Sequence, residues 1–429
     1  MSNNDKAART TAHSAFNPRS FPWISTLLAT LLALGLFVGI SGAILVIGLD
    51  NQVKGAVIDL EKFSQSTDPG PAIPADGFAG RPVNLIVIGI DSRAGENANV
   101  GAGTPDVIES ELNDTNMLIH LSADRTSATV VSIPRDLMTT LATCQTINGD
   151  FVGGDRGQFN TAFSLPKTWE ETDTAAGIAC VQATTELLSG MKMDGFAIID
   201  FVGFQDLVKT LGGLEICVDT EVEDVEAQLE PFGPGCKKLS PDQALAYSRA
   251  RKDPSLGDGS DIGRIGRQHE VVSAMVDEVM KTNILTDFLK LHAFVQEALN
   301  TMSVSQSLSD LTADMGLLSS LKGIPAENFR FVTLPWGTDP EDPNRVVALE
   351  PLAGDMWAAL QNDTSLPPGT PFKTMGGDYF IVGDDGAPIP AEDNGGGLIT
   401  PIDPSYGTTD PGTEEFDPSY NEDYGNGEY

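Results

Sequence analysis

Residues 25–49 form an unbroken apolar run, STLLATLLALGLFVGISGAILVIGL, without a single charge. A helix rises 1.5 Å per residue, and about 20 apolar residues cross the hydrocarbon core of a bilayer. A run this long and apolar on every face predicts a membrane-spanning helix rather than a buried helix of a soluble core. The rival reading is a secretory signal peptide cleaved after this run, although such peptides carry a shorter apolar stretch of about 7–15 residues. Lys6, Arg9 and Arg19 precede the run against Asp5 alone, whereas Asp50, Lys54, Asp59, Glu61 and Lys62 come after it. The positive-inside rule then places residues 1–24 in the cytoplasm and the bulk of the chain outside the cell membrane.

The chain beyond the run is long enough to bury a sizeable core. The whole chain has 429 residues and a formal charge of -35, with 61 acidic against 26 basic side chains. That balance excludes a general affinity for nucleic acid, whose phosphates need a basic surface. No Lys or Arg comes after Lys373, so part of the negative charge belongs to a C-terminal tail. All four cysteines, Cys144, Cys180, Cys217 and Cys236, fall in the external part. An even count in an oxidising compartment suggests two disulfides, and proximity favours Cys144–Cys180 with Cys217–Cys236 among the three possible pairings. A zinc site is disfavoured, because the chain has no CxxC and its four histidines show no ligand spacing.

Residues 50–80 read as a stalk rich in Pro and Gly. The globular part opens with NLIVIGID (84–91), a continuous apolar segment closed by Gly and Asp, the pattern of a buried central strand. Further strands are expected at 116–123 and 128–134, close enough for a hairpin, and at 197–201 and 214–219. Helical patterns lie at 174–190, 201–211, 241–250 and near 266–300. Strands mixed with helices imply a layered α/β domain, expected over 81–363. From 364 to 429 the chain is rich in Pro, Gly, Asp and Tyr, and composition predicts an acidic disordered tail.

The chemistry is concentrated in the arginines. The chain has 13, and four of them, Arg249, Arg251, Arg264 and Arg267, fall within 19 residues. Arg249 and Arg251 point the same way on an extended segment. Arg264, Arg267 and Gln268 share a helix face at spacings of three and four. The guanidinium fork matches phosphate oxygens, and a helix N-terminus near Asp261–Arg264 adds a favourable dipole. A solvated face of surface ion pairs fits the clustering equally well. Carboxylates form the second constellation. Asp91 ends one expected strand with Arg93 two residues on, Asp114 precedes the next, and Arg135 and Asp136 come after the third. Asp91 and Asp114 suit Mg²⁺, which takes a few carboxylate oxygens plus substrate phosphate oxygens, although Asp at strand ends is commonly a turn residue. No GxSxG elbow and no P-loop occurs.

The ordered segments NLIVIGIDSR (84–93), NDTNMLIHLS (113–122), VVSIPRDL (130–137), GQFNTAF (157–163), LVKTLGGLEICV (207–218) and LSPDQALAYSRARK…DIGRIGRQ (239–268) together resemble the LytR-CpsA-Psr family. The resemblance implies an α/β/α layered domain with a mixed central sheet behind one transmembrane helix. It implies transfer of a glycopolymer from a polyprenyl-pyrophosphate carrier to a peptidoglycan hydroxyl, by way of a phosphodiester link. The matching positions give Asp91 and Asp114 as ligands of Mg²⁺ (or Mn²⁺) and Arg93 and Arg135 as catalytic groups. They give Arg135, Arg249, Arg251 and Arg264 as pyrophosphate contacts with Gln268 beside them, and Arg267 of the same cluster is expected to join them. The cysteines are similar to those of actinobacterial members. One departure is Gln158, where members often carry Lys in a KINAAY-like motif; Asn160 is kept.

A phosphoryl-transfer site needs positioning and electrostatic stabilisation above all. The base expected to take the acceptor proton is Asp91, and an apolar groove for the lipid is expected beside the helices of 174–211. Two other readings stay open: a polyprenyl-pyrophosphate hydrolase, and a non-catalytic lipid-pyrophosphate-binding protein of the envelope.

Overall fold

The computed structural model describes residues 78, 80–90, 112–166, 174–251, 261–281, 301–308 and 323–391, with residues 57, 58, 294, 298, 317, 320 and 321. The expected span at 25–49, Asp91, Arg93 and the chain beyond Ala391 lie outside these residues. Among the described residues no helix is long and apolar enough to cross a membrane.

Ten strands form one mixed sheet. In chain order they are β1 (Val57–Ile58), β2 (Val83–Ile90), β3 (Asn113–Leu121), β4 (Ala128–Ser132), β5 (Gly195–Ile199), β6 (Met302–Ser305), β7 (Phe329–Thr333), β8 (Pro371–Thr374), β9 (Tyr379–Val382) and β10 (Pro388–Pro390). Across the sheet the order is β1-β6-β5-β2-β3-β4-β7-β8-β9-β10. The expected central strand is β2, flanked by parallel β5 and antiparallel β3. The expected hairpin is β3–β4, joined with Leu121 opposite Ala128. The segment 214–219 does form a strand, Leu214–Val218, but it pairs with Gly235–Leu239 in a separate hairpin and not with the sheet.

Side chains alternate across β2, so each face of the sheet acquires its own core. Ile86 and Ile88 with Leu118, Val131, Phe196 and Val332 pack under α1 (Thr174–Ser189), through Ile178 and Val181. The same core takes Ala353, Met356 and Trp357 of α5 (Leu352–Gln361). On the opposite face Val83, Met117, Leu121, Val130 and Phe331 meet Val272 and Val276 of the long helix α4 (Asp261–Lys281). A third core joins α2 (Phe201–Thr210), α3 (Pro241–Arg249) and α4 to the hairpins at 214–239. Helices therefore cover both faces of the sheet.

Both disulfides form as proximity favours, Cys144–Cys180 and Cys217–Cys236. The first ties α1 to the short strand Cys144–Gln145, and the second closes the Leu214–Leu239 hairpin.

The folded chain does not end at Asp363. Leu366, Phe372 and Val382 enter the core beneath α5, and β8 pairs with β7 with Phe331 opposite Lys373. Low hydropathy averaged over 364–429 hides a short ordered stretch, PFKTMGGDYFIV, whose apolar residues sit on either side of a Gly-Gly turn. At the other end, Val57–Ile58 of the expected stalk adds a parallel edge strand, and Phe78 is buried in the core against α4.

Candidate active site

A cavity of about 690 Å³ lies on the α4 face of the sheet. Its floor is β2, β3 and β5, through Val87, Gly89, Met117, Ala197 and Ile199, and its walls are α2, α3 and α4. Gly89 is required there. A Cβ at this position would stand 2.8 Å from Thr115 Cβ, so any larger residue would push β2 and β3 apart at the floor.

Asp114 reaches the cavity because β3 is bulged. The register runs Gly89–Thr115 and then Ile90–Asn113, leaving Asp114 as an extra residue between them. Strict alternation would turn Asp114 to the far face. The bulge re-aims it into the cavity. Asn113 turns the other way, buried, where its Nδ2 donates to Asn116 Oδ1 at 2.7 Å and its Oδ1 accepts from the Phe163 amide at 3.2 Å.

Arg135 lies just past β4 and directs Nη1 to Asp114 Oδ1 at 3.3 Å. Asp136 steadies its other side, with Arg135 Nε 3.7 Å from Asp136 Oδ2. Asp136 also accepts from Arg345 Nη1 at 3.1 Å and from Gln158 Nε2. Gln158 thus serves the carboxylate that braces Arg135, and Arg345 is a contributor that sequence spacing did not reveal.

The Arg249–Arg251 pair is placed by the end of α3. Ala250 caps that helix in an extended conformation, so Arg249 and Arg251 both line the cavity, as their spacing predicts. Arg249 stacks over the Phe201 ring at 4.8 Å. The Arg251 amide donates to Asp224 Oδ2 at 2.6 Å. From α4, Arg264 lines the cavity, buried, and donates through Nη2 to the Asp114 carbonyl at 3.1 Å. Gln268 donates to Thr115 Oγ1 at 3.0 Å. A cation in the first turn of a helix opposes the macrodipole. An anion in the space beside it would offset that opposition.

Beyond Gln268 the same helix turns apolar. Val271, Met275 and Val279 form one row and Val272, Val276 and Met280 a second, and all six line the cavity. Phe204, Leu207 and Leu211 face them from α2 and its end, with Phe294 and Leu321 also lining the space. From Arg264 to Met280 the helix extends roughly 24 Å. One continuous space therefore has four arginines at one end and a long apolar arm. The expected groove beside 174–211 is right for α2 and wrong for α1, which covers the opposite face of the sheet.

Arg267 is not part of this cavity. A step of three from Arg264 carries it round α4, where it is buried and donates through Nη2 to the Ala250 carbonyl. Burial first lowers its pKa, and nearby Tyr247 and Glu270 oppose that shift. Arg267 therefore orders the backbone between the paired arginines. Asp91 and Arg93 lie outside the described residues, directly after Ile90, which lines the cavity. Among the described residues no group of three or more His, Cys, Asp or Glu side chains is arranged to hold a metal. Asp114 supplies one hard oxygen donor at the arginine end, which suits an ion that draws its other ligands from water and phosphate.

His269 is excluded as a base by position. It is buried under the sheet, with Nε2 2.7 Å from Ser132 Oγ. Burial, aided by the Lys373 ammonium, pushes its pKa down to about 3 from the ordinary 6.5. The unfolded chain would bind this proton below pH 6.5 and the folded chain would not. The contribution is whole above pH 6.5 and is lost as pH falls toward 3, at about 1.4 kcal/mol per unit. Between pH 7 and pH 5 the wild type should lose about 2 kcal/mol more stability than His269→Gln in urea titrations. Equal losses would refute this assignment.

A cavity that pairs clustered arginines with an apolar arm, on a mixed α/β sheet, has the kind of lining that an amphipathic anion requires. The chain belongs to the LytR-CpsA-Psr family, whose model matches residues 44–361. It is 26% identical over 310 residues to the cell wall biosynthesis protein LcpA of Corynebacterium glutamicum, covering 68% of this chain and 57% of that protein. It is 25% identical over 231 residues to the polyisoprenyl-teichoic acid–peptidoglycan teichoic acid transferase TagU of Bacillus mycoides, covering 54% of this chain and 63% of that one. The chain thus spans less than two thirds of either relative. The crystal structure of B. subtilis TagV is 21% identical and has a TM-score of 0.49, covering 66% of this chain and 97% of that one.

Proposed function

We propose that this protein transfers a glycopolymer from a polyprenyl-pyrophosphate carrier to a peptidoglycan hydroxyl, forming a phosphodiester link. The observation that carries this reading is the continuity of the arginine end with the apolar arm. A free nucleotide or sugar phosphate has no use for the arm, and a neutral lipid has none for the arginines. Family membership and the transferase name of the TagU relative support the same direction.

The roles derive from placement. The apolar rows of α4 and α2 hold the polyprenyl chain, each buried methylene contributing about 0.8 kcal/mol. Arg135, Arg249, Arg251 and Arg264 bind the pyrophosphate oxygens and stabilise the charge that grows on them as the acceptor oxygen attacks. The bond formed joins the acceptor oxygen to the phosphorus bearing the glycan. The bond broken releases polyprenyl phosphate, and a carboxylate takes the hydroxyl proton, with Asp91 assigned that part. Asp91 and Asp114 would hold Mg²⁺ or Mn²⁺, which when bound supplies positive charge to the phosphate oxygens. The run at 25–49 anchors the chain in the membrane with residues 1–24 cytoplasmic, so that the site meets a carrier embedded in the outer leaflet.

The test uses the full chain in detergent with a glycan-labelled polyprenyl-pyrophosphate donor. Label should enter peptidoglycan, polyprenyl phosphate should appear only when acceptor is present, and chelation should slow both. Shortening the donor's lipid to two isoprene units should raise KM at least about tenfold. Equal release without acceptor would make the protein a hydrolase. Binding without turnover would make it a lipid-binding protein. Either result overturns the proposal.

A further inference from the structure

Helix α4 carries a second set of polar groups on the side away from the cavity. Arg267, Glu270 and Lys373 line a separate recess of about 960 Å³ there, together with Tyr247 and Tyr379. Lys373 Nζ lies 2.6 Å from Glu270 Oε1, and its ammonium sits 4.8 Å from the centre of the Tyr379 ring. The Tyr247 hydroxyl donates to the other oxygen, Glu270 Oε2. Tyr247 belongs to α3, two residues before Arg249, and the Ala250 amide donates back to the Tyr247 carbonyl at 3.3 Å. Arg267 donates to the Ala250 carbonyl, between the paired arginines, and Arg251 is held from the other side by Asp224. One carboxylate, Glu270, is thereby shared between Lys373 of β8, the end of α3 and the neighbourhood of Arg267.

We propose that Lys373 is a positioning residue for Arg249 and Arg251, acting through Glu270, Tyr247 and Arg267. This rests on the reading of the cavity as a pyrophosphate site. Lys373 holds Glu270 back toward β8. Without that ammonium the carboxylate turns fully to Arg267 and draws its guanidinium off the Ala250 carbonyl. The backbone that aims the arginine pair then loses the bond that holds it from α4. Lys373 touches neither substrate nor cavity, so its effect falls on geometry rather than on chemistry.

The test uses the full chain in detergent and a small set of variants. Lys373→Met removes the ammonium but strands a partly buried carboxylate. The pair Lys373→Met/Glu270→Gln removes both charges at nearly constant volume. Tyr247→Phe deletes one hydroxyl and cuts the link between Glu270 and α3. Lys373→Arg is the conservative rescue. Exchange of the Arg251 amide with solvent should quicken at least about tenfold in Lys373→Met and about threefold in Tyr247→Phe, and stay near the wild-type rate in Lys373→Arg and in the double variant, which has no carboxylate to draw Arg267 away. In the transfer assay the same variants should lower kcat by about the same factors with KM for the acceptor unchanged. An unchanged Arg251 exchange rate in Lys373→Met or in Tyr247→Phe, or exchange in the double variant as fast as in Lys373→Met, overturns the proposal. Exchange requires no turnover, so it decides the positioning role even if the wild type proves not to be a transferase.

Discussion

Replacing Arg249 and Arg251 together by Ala is expected to lower transfer from a polyprenyl-pyrophosphate donor by about a thousandfold while leaving the melting temperature within a few degrees of wild type. A charge-assisted contact between a guanidinium and phosphate is worth about 1.5–3 kcal/mol, so on the proposed reading two such losses correspond to roughly 10²–10⁴ in rate. The fold should tolerate the change because both side chains are only partly buried and face the cavity. The backbone bonds that fix the segment, from Arg267 to Ala250 and from Arg251 to Asp224, survive the substitution. Arg251→Lys should recover only part of the rate, since an ammonium cannot reproduce the bidentate fork. Arg249→Ala alone should also loosen Phe201, on which the guanidinium stacks. Activity of the double variant within threefold of wild type, measured as label entering peptidoglycan, would remove the arginine pair from the mechanism.

Much of this site is readable from sequence because its pieces obey local rules. The central strand is an apolar run closed by Gly and Asp, and the Arg249–Arg251 spacing meets an extended cap after α3. Other features depend on contacts that no local pattern reports. Asp114 reaches the cavity only through a bulge, and nothing in NDTNMLI distinguishes it from a regular strand. Arg267 lies only about 60° from Arg264 on a helical wheel, yet on a helix walled on both sides that offset is enough for it to meet the Ala250 carbonyl instead of the cavity. Arg345 and Lys373 come from segments more than 75 residues after the arginine cluster, so only the closed fold brings them near it. The span expected at 25–49 rests on length and flanking charge alone, and that run lies outside the described residues.

Composition misplaces the end of the fold at Asp363, and the contacts beyond that residue carry a large share of the stability. A chain ending after Asp363 should not fold, whereas one ending after Ala391 keeps β8–β10 on the sheet and the core beneath α5 filled. The shorter chain loses Leu366, Phe372 and Val382 from that core. Large-to-small losses at buried positions cost about 2–5 kcal/mol each, so three together remove roughly 6–15 kcal/mol. Loss of β8 also exposes the edge of β7 and takes Lys373 from the partly buried Glu270. Removing one partner of this partly buried ion pair adds a further cost, smaller than the roughly 3–5 kcal/mol of a fully buried pair. The sum reaches the whole stability of an ordinary domain, about 5–15 kcal/mol. Near-UV circular dichroism and limited proteolysis of the two truncated chains in detergent distinguish the cases. The Asp363 chain should lack a cooperative melt and be digested within minutes, and the Ala391 chain should match the full protein. A cooperative melt of the Asp363 chain within about 5 °C of wild type would mean that β8–β10 lie on the sheet without supporting it, and Lys373 could not then hold the arginine segment in place.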